Sequence, residues 1–241
     1  MKNHYSRRYF AKQLGGGLVF PFVARSSWAK ASPNEVVRHA SFGGGGMAGS
    51  DLGNISSHKN VMIAAVAEID PNRRNQAKQR FKTAKVYGDW REMLEKEGNN
   101  LDSVNVSTPD HMHAYISLDA MRRGKHVYCQ KPLTHTVWEA RQMALQAAKS
   151  KVITRLGNLI HSHTHYRTAV RAIREGKIGK VKRIHSWVNA AGHGRSGLIS
   201  RPKSTPPIPR TLDWDLWLGV APKRRYGGDR VYHPWGWRDW Q

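Results

Sequence analysis

The chain has 241 residues, 39% of them hydrophobic, with 40 Lys and Arg against 17 Asp and Glu and a single cysteine, Cys129. One cysteine excludes an internal disulfide framework and a cysteine-based zinc centre, and no segment is apolar for the ~18 residues a membrane-spanning helix needs. The length allows one full domain and part of a second, while the basic excess favours anionic partners and says nothing about fold.

Residues 1–31 are of a different kind from the rest. Arg7 and Arg8, in SRRYFAK, precede an apolar, glycine-rich stretch from Leu14 to Ala24 and then the triplet Ala29-Lys30-Ala31. The order charged, apolar, A-x-A is that of an export signal, and the paired arginines resemble the twin-arginine class, which translocates folded proteins. The expectation is an exported, periplasmic protein whose first 31 residues take no part in the fold; a basic amphipathic tail is the plainer alternative. The remaining charge is uneven, since residues 151–241 carry 18 basic and 5 acidic side chains.

From Glu35 onward, short apolar runs alternate with amphipathic stretches. The runs are VVRHASF (36–42), VMIAAVA (61–67), KVYG (85–88), SVNVST (103–108), KHVYC (125–129) and KVITRL (151–156). Asp70 before Pro71 reads as an N-cap followed by a first-turn proline. Asp89 with Glu92, and Thr136 with Glu139, have capping-box spacing, and Gly124 stands where a helix should stop. Near-continuous apolar strands alternating with helices predict an α/β fold, a doubly wound parallel sheet of the Rossmann type, over residues 32–157. Arg38 and His39 are the misfit, because they fall where the first strand should be buried.

The first strand-to-helix turn reads FGGGGMAGSD (42–51) and offers two registers, Gly43-x-Gly45-x-x-Ala48 and Gly44-x-Gly46-x-x-Gly49. Either fits a dinucleotide fingerprint, in which glycine lets the backbone approach a pyrophosphate at a helix N-terminus. The first is preferred because Gly43 directly follows Phe42. Glu68 ends the second strand, 20 residues after Ala48, where an acidic side chain bonds the ribose hydroxyls and repels a 2′-phosphate. NAD is therefore the expected cofactor, with NADP as the alternative because Arg73 and Arg74 lie close by. In such a sheet ligands bind at the carboxyl ends of the strands, where Ser107-Thr108-Pro109 and Gln130-Lys131-Pro132 also end. Pro132 restricts Lys131 to extended backbone, and an ammonium there suits a substrate oxygen that gains negative charge.

FGGGGMAGSD, Glu68-Ile69-Asp70-Pro71, STPDHMHA (107–114) and VYCQKPLTHTVWEA (127–140) resemble the glucose–fructose oxidoreductase, inositol dehydrogenase and rhizopine catabolism (Gfo/Idh/MocA) family. So do LGNLIHSHTHYRTAV, EGKIGKVKRIHSWVN and LDWDLWLG further on. The family's Glu-Lys-Pro signature stands here as Gln130-Lys131-Pro132. The resemblance implies NAD(P)-dependent oxidation or reduction at a sugar or cyclitol carbon. It makes Lys131 the expected catalytic residue. The expected cofactor contacts are Gly43, Gly45, Gly46, Met47 and Ala48 on the turn, with Glu68, Ser107, Thr108, Pro109, His113 and Gln130. It also implies a carbohydrate-type substrate and pairing of sheets between subunits.

Past Leu156, a helix is expected from about His163 to Glu175, stopped at Gly176, followed by an alternating strand VKRIHSWVN (181–189). These open an α+β substrate domain over residues 158–241. The Asp- and His-bearing continuation found in the family has no match before Gln241, so this domain is expected to be truncated. A dinucleotide-binding remnant without catalysis is the alternative reading, and a basic interaction protein on the same sheet is a third. His161, His163 and His165 alternate, but on a helix that spacing scatters side chains by ~100° per residue. No metal site is expected, and His161 and His163, like His111 and His113, are expected to border the cleft or cofactor. Trp214, Trp217, Trp235, Trp237 and Trp240 interleave with Arg224, Arg225 and Arg238, a mixture suited to nucleic acid. No nucleic-acid-binding motif accompanies them, so they are expected to pack a domain or subunit surface.

Overall fold

Six parallel strands are hydrogen-bonded in the order β3-β2-β1-β4-β5-β6 in the computed structural model, which describes residues 36–187, 204–228 and Gly236. They are β1 (Val37–Phe42), β2 (Val61–Ala67), β3 (Lys85–Tyr87), β4 (Ser103–Val106), β5 (His126–Cys129) and β6 (Thr154–Leu156). All six expected strands are present. Crossover helices α1 (Gly46–Ser56), α2 (Pro71–Arg80), α3 (Trp90–Glu97), α4 (His113–Arg122) and α5 (Val137–Ser150) join them. The export-signal reading of residues 1–31 lies outside the described residues.

Alternation along the strands sends apolar side chains to both faces, so each face needs its own helical cover. Ala65 and Ala67 of β2 join Phe42, Met93, Leu94, Val104, Val106, Ile116 and Met121 in the core under α3, α4 and α5. Ile63 and Val66 of the same strand join Leu52, Ala77 and Ala84 under α1 and α2. Each fully buried large side chain contributes about 1.5–3 kcal/mol relative to exposure.

The local signals act as their chemistry dictates. Asp70 accepts hydrogen bonds from the Asn72 and Arg73 amides with Pro71 in the first turn of α2. Thr136 and Glu139 form a complete capping box at α5. At α3 the box does not form: Asp89 caps the helix by accepting from the Arg91 amide rather than from that of Glu92, and Glu92 pairs with Lys96 one turn later. Gly124, at φ +73°, ends the chain's run through α4.

The misfit in β1 is resolved by position. Arg38 is exposed at the start of the strand, with its amide donating to Asp102. His39 is buried, yet both ring nitrogens are bonded, to Ser103 Oγ at 2.8 Å and Asn105 Oδ1 at 3.0 Å on β4. A buried polar ring is tolerated when each of its nitrogens has a partner.

Beyond β6, a short 3-10 turn (Leu159–Ser162) leads into α6 (Thr164–Arg174), and Gly176 follows at φ +75°. The strand expected at 181–189 is a correction: residues 181–187 are exposed and form no strand, and 188–189 lie outside the described residues. A strand needs a hydrogen-bonded neighbour, and none is present for it among the described residues. Among the described residues after β6, α6 is the part of the expected second domain that is seen, with no strand beside it. Instead, residues 208–226 return to the Rossmann sheet, carrying the five-residue helix α7 (Trp214–Leu218) capped by Asp213. Trp214, Trp217, Leu218 and Tyr226 are buried there against Ile69, Leu212 and Ala221.

Candidate functional site

The site begins where β1 ends. Gly43 adopts φ +101°, and its amide donates to the Ala67 carbonyl at 2.8 Å. A Cβ at Gly43 would lie 2.8 Å from the Ala48 Cβ and 3.1 Å from the Ser107 carbonyl oxygen. Only glycine satisfies that backbone and that spacing. The two registers read from the sequence differ in tightness: Gly43 packs closely on Ala48, whereas a Cβ at Gly49 would lie 3.4 Å from the Gly44 carbonyl oxygen, an ordinary contact. Gly45 is the N-cap of α1 in extended conformation, and no side chain caps it. The first-turn amides of α1 thus keep their donors and the positive end of the helix dipole.

Glu68 follows β2 and is buried, with Oε2 accepting from the Gly44 amide at 2.8 Å and Oε1 from the Asp70 amide at 3.1 Å. The carboxylate thereby fixes the glycine turn to the end of β2. Arg74 is spent on structure, donating to the carbonyls of Glu68 and Ile69 at 2.7 and 2.9 Å. Arg73 is half-exposed and lies along Gly45, where a Cβ would come within 2.6 Å of its Cδ.

These elements enclose a cavity of about 410 Å³. Gly43, Gly45, Gly46 and Met47 form one wall, and Glu68 stands at its edge. Ser107, Thr108 and Pro109 form the β4 side. Thr108 Oγ1 is buried with no hydrogen-bond partner among the described residues, which in a cavity wall marks a polar contact still to be made. A glycine cradle, an open helix terminus, a carboxylate and an unmatched hydroxyl together fit a dinucleotide, whose phosphates take amide donors and whose riboses take polar partners.

Ala48, His113, Gln130 and Lys131 are not on that wall. Ala48 lies behind Gly43, as its contact requires. His113 is fully buried, and its ring bridges the carbonyls of Thr108 at 2.8 Å and Pro132 at 2.7 Å. It ties the tips of β4 and β5 together, holding the backbone of the cavity residue Thr108 rather than lining the cavity itself. Gln130 is likewise buried, with its amide group donating to Asp51 and its Oε1 accepting from the Lys131 amide at 2.8 Å. Lys131 is exposed at the carboxyl end of β5, before a cis peptide bond to Pro132.

The opposite wall was not legible in the sequence. Leu212, Leu216, Trp217 and Tyr226 of the returning segment face the cavity along with Ile69 and Trp90. His111 anchors this segment: its Nε2–H donates to the Trp217 carbonyl at 3.0 Å, and the two rings lie 5.5 Å apart. Burial pushes the His111 pKa below its ordinary value, which favours the neutral ring. His111 thus anchors the returning segment through Trp217, which lines the cavity. The signal that existed was local: Asp213 as cap makes Trp214 and Trp217 neighbours on one helical face. His161 stacks on Tyr166 and His163 lies beside His165, all exposed and away from this cavity. Among the described residues no group of three or more His, Cys, Asp or Glu is placed to hold a metal ion.

Residues 37–158, half of the chain, match the family model described as the oxidoreductase family with NAD-binding Rossmann fold. Levoglucosan dehydrogenase of Pseudarthrobacter phenanthrenivorans is 32% identical over 123 residues, 48% of this chain and 29% of that protein. The 1,5-anhydro-D-fructose reductase of Ensifer adhaerens is 33% identical over 107 residues, 44% of this chain and 32% of that protein. The chain thus spans about a third of the length of these curated relatives. Among solved structures, myo-inositol 2-dehydrogenase of Lactobacillus plantarum aligns with a TM-score of 0.57 at 25% identity, over 61% of this chain and 43% of that one. The scyllo-inositol dehydrogenase of Lactobacillus casei, solved with NAD(H) and scyllo-inositol, aligns with a TM-score of 0.56 at 22% identity, over 60% and 43%, and speaks to the fold alone.

Proposed function

The chain belongs to the Gfo/Idh/MocA oxidoreductase family, and on that footing we propose that it binds NAD in the cavity and serves oxidation or reduction at a sugar or cyclitol carbon. One observation carries the reading: the glycine turn, the uncapped N-terminus of α1, Glu68 and the unpartnered Thr108 hydroxyl meet in one 410 Å³ space. The names of the relatives, which act on anhydrosugars and inositols, support the substrate class.

When bound, the nicotinamide supplies the two-electron partner that exchanges a hydride with the substrate carbon. The protein's own residues do the rest. The α1 amides hold the pyrophosphate, and Thr108 offers its hydroxyl on the β4 side. Glu68 disfavours a 2′-phosphate by charge, so NAD is preferred over NADP, with Arg73 as the counterweight across the turn. Lys131, exposed at the tip of β5, is assigned to orient the substrate oxygen and to stabilise its negative charge as the hydride leaves. The charged, apolar, A-x-A order of residues 1–31 supports an exported, periplasmic protein.

Turnover is tested by following nicotinamide absorbance with NAD⁺ and a panel of anhydrosugars, aldoses and inositols. The expected result is oxidation of at least one of them, reduced ~100-fold or more in Lys131→Ala with NADH affinity unchanged. Equal rates for the variant and the parent chain would remove Lys131 from the reaction.

A further inference from the structure

A buried line of hydrogen bonds crosses the sheet and ends beside Lys131. Ser103 Oγ and the His39 ring meet at 2.8 Å, His39 meets Asn105 Oδ1 at 3.0 Å, and Asn105 Nδ2 donates to Ser107 Oγ at 2.9 Å. Ser107 Oγ then donates to Asp51 Oδ2 at 2.7 Å. From the other side, Gln130 Nε2 donates to the same Oδ2 at 3.1 Å, and Gln130 Oε1 accepts from the Lys131 amide at 2.8 Å.

The directions follow from the inventory of donors. Asn105 Oδ1 only accepts, so His39 donates through Nε2 and its Nδ1 accepts from Ser103. Burial holds that ring neutral, with its pKa lowered to about 4. Every donor from Ser103 to Ser107 therefore points one way, toward Asp51, and the Gln130 amide group points at it from the opposite side. Asp51 is 2% exposed and lies on α1, the helix whose N-terminus borders the glycine turn. A buried carboxylate is held only where donors satisfy it, and these donors belong to the tips of β4 and β5.

We infer that Asp51 is the positioning residue for Lys131, fixing the Gln130 side chain so that its Oε1 holds the Lys131 backbone while the same carboxylate holds Ser107 at the cavity wall. One carboxylate thus sets three parts in register: the glycine-turn helix, the β4 tip and the lysine. Asp51 touches neither substrate nor cofactor in this role. The inference deepens the proposed function and rests on its assignment of Lys131.

The test is hydrogen–deuterium exchange of backbone amides, followed by heteronuclear NMR on the whole chain, with the amides of Ala40 and Val66 as controls for an intact sheet. Asp51→Ala is expected to speed exchange of the Lys131 amide roughly tenfold, and Asp51→Asn, which keeps an acceptor, to leave it near the parent rate. A second pair decides if Asp51→Ala does not fold. Gln130→Glu sets carboxylate against carboxylate and is expected to free the Lys131 amide, while Gln130→Glu with Asp51→Asn restores its protection. An unchanged Lys131 rate in Asp51→Ala with Ala40 and Val66 still protected overturns the assignment, as does a double variant no better protected than Gln130→Glu alone. NADH titration of the parent chain reads the underlying proposal separately. Loss of NADH binding would remove the dinucleotide reading and leave the exchange result standing, whereas flat exchange would remove Asp51 alone.

Discussion

Glu68 and His39 show how far single residues can be read before the fold is known. Glu68 was legible because a carboxylate 20 residues past the glycine turn has a defined place at the end of β2. Its bonds to the Gly44 and Asp70 amides were not, since they depend on how the turn curls back. His39 read as a defect in a buried strand, because its partners Ser103 and Asn105 lie more than 60 residues away. Its burial has a consequence for stability against pH. The folded-state pKa of about 4 lies below the ordinary 6.5, so between those values the unfolded chain binds more protons than the folded one. The contribution of this ring to stability is therefore fully present above pH 6.5 and is lost as pH drops toward 4, by on the order of 3 kcal/mol. His39→Gln removes the titration, and its melting temperature is expected to decline less steeply than the parent's across that window in calorimetry. Parallel declines would mean that His39 is not the group responsible.

Secondary-structure elements divide by whether their cause is local. The strands and caps were legible because apolar runs, capping residues and glycines act within a turn or two of their own position. The strand expected from 181 was not found over residues 181–187, because alternation promises a strand only where a sheet accepts it. For the segment 208–226 the expectation that its tryptophans pack a domain surface holds at Trp214 and Trp217, which stack 4.9 Å apart and are buried against the Rossmann domain; what they pack on was not legible. That docking depends on His111 and Ile69, far away in sequence. Removing Trp217 should release the segment without unfolding the sheet, since the large core cluster is separate from it. Replacing a buried aromatic by alanine costs roughly 3–5 kcal/mol. Trp217→Ala is accordingly expected to be cut much faster by trypsin at Lys223–Arg225, read by mass spectrometry, while far-ultraviolet circular dichroism stays close to the parent's. Cleavage at the parent rate would show that the segment is held by something other than Trp217.

At the scale of the whole molecule, the parallel sheet and its crossovers bring the ends of β1, β2, β4 and β5 to one edge, and chemistry gathers there. The sequence readily placed the glycine turn, Glu68 and the 107–109 stretch on that edge, as each follows a strand directly. It did not separate the residues facing the cavity from those supporting it. His113 and Gln130 stand next to cavity residues in the chain but turn inward, and only the fold distinguishes the two roles. The chemistry proposed for this edge requires that the cavity take a dinucleotide. A fluorescence titration with NADH, run on the chain and on Glu68→Ala with folding checked by circular dichroism, addresses this most directly. Saturable binding by the parent chain, weakened about tenfold in Glu68→Ala by the lost ribose hydrogen bonds, is the predicted result. A folded parent chain that shows no saturable binding would contradict it.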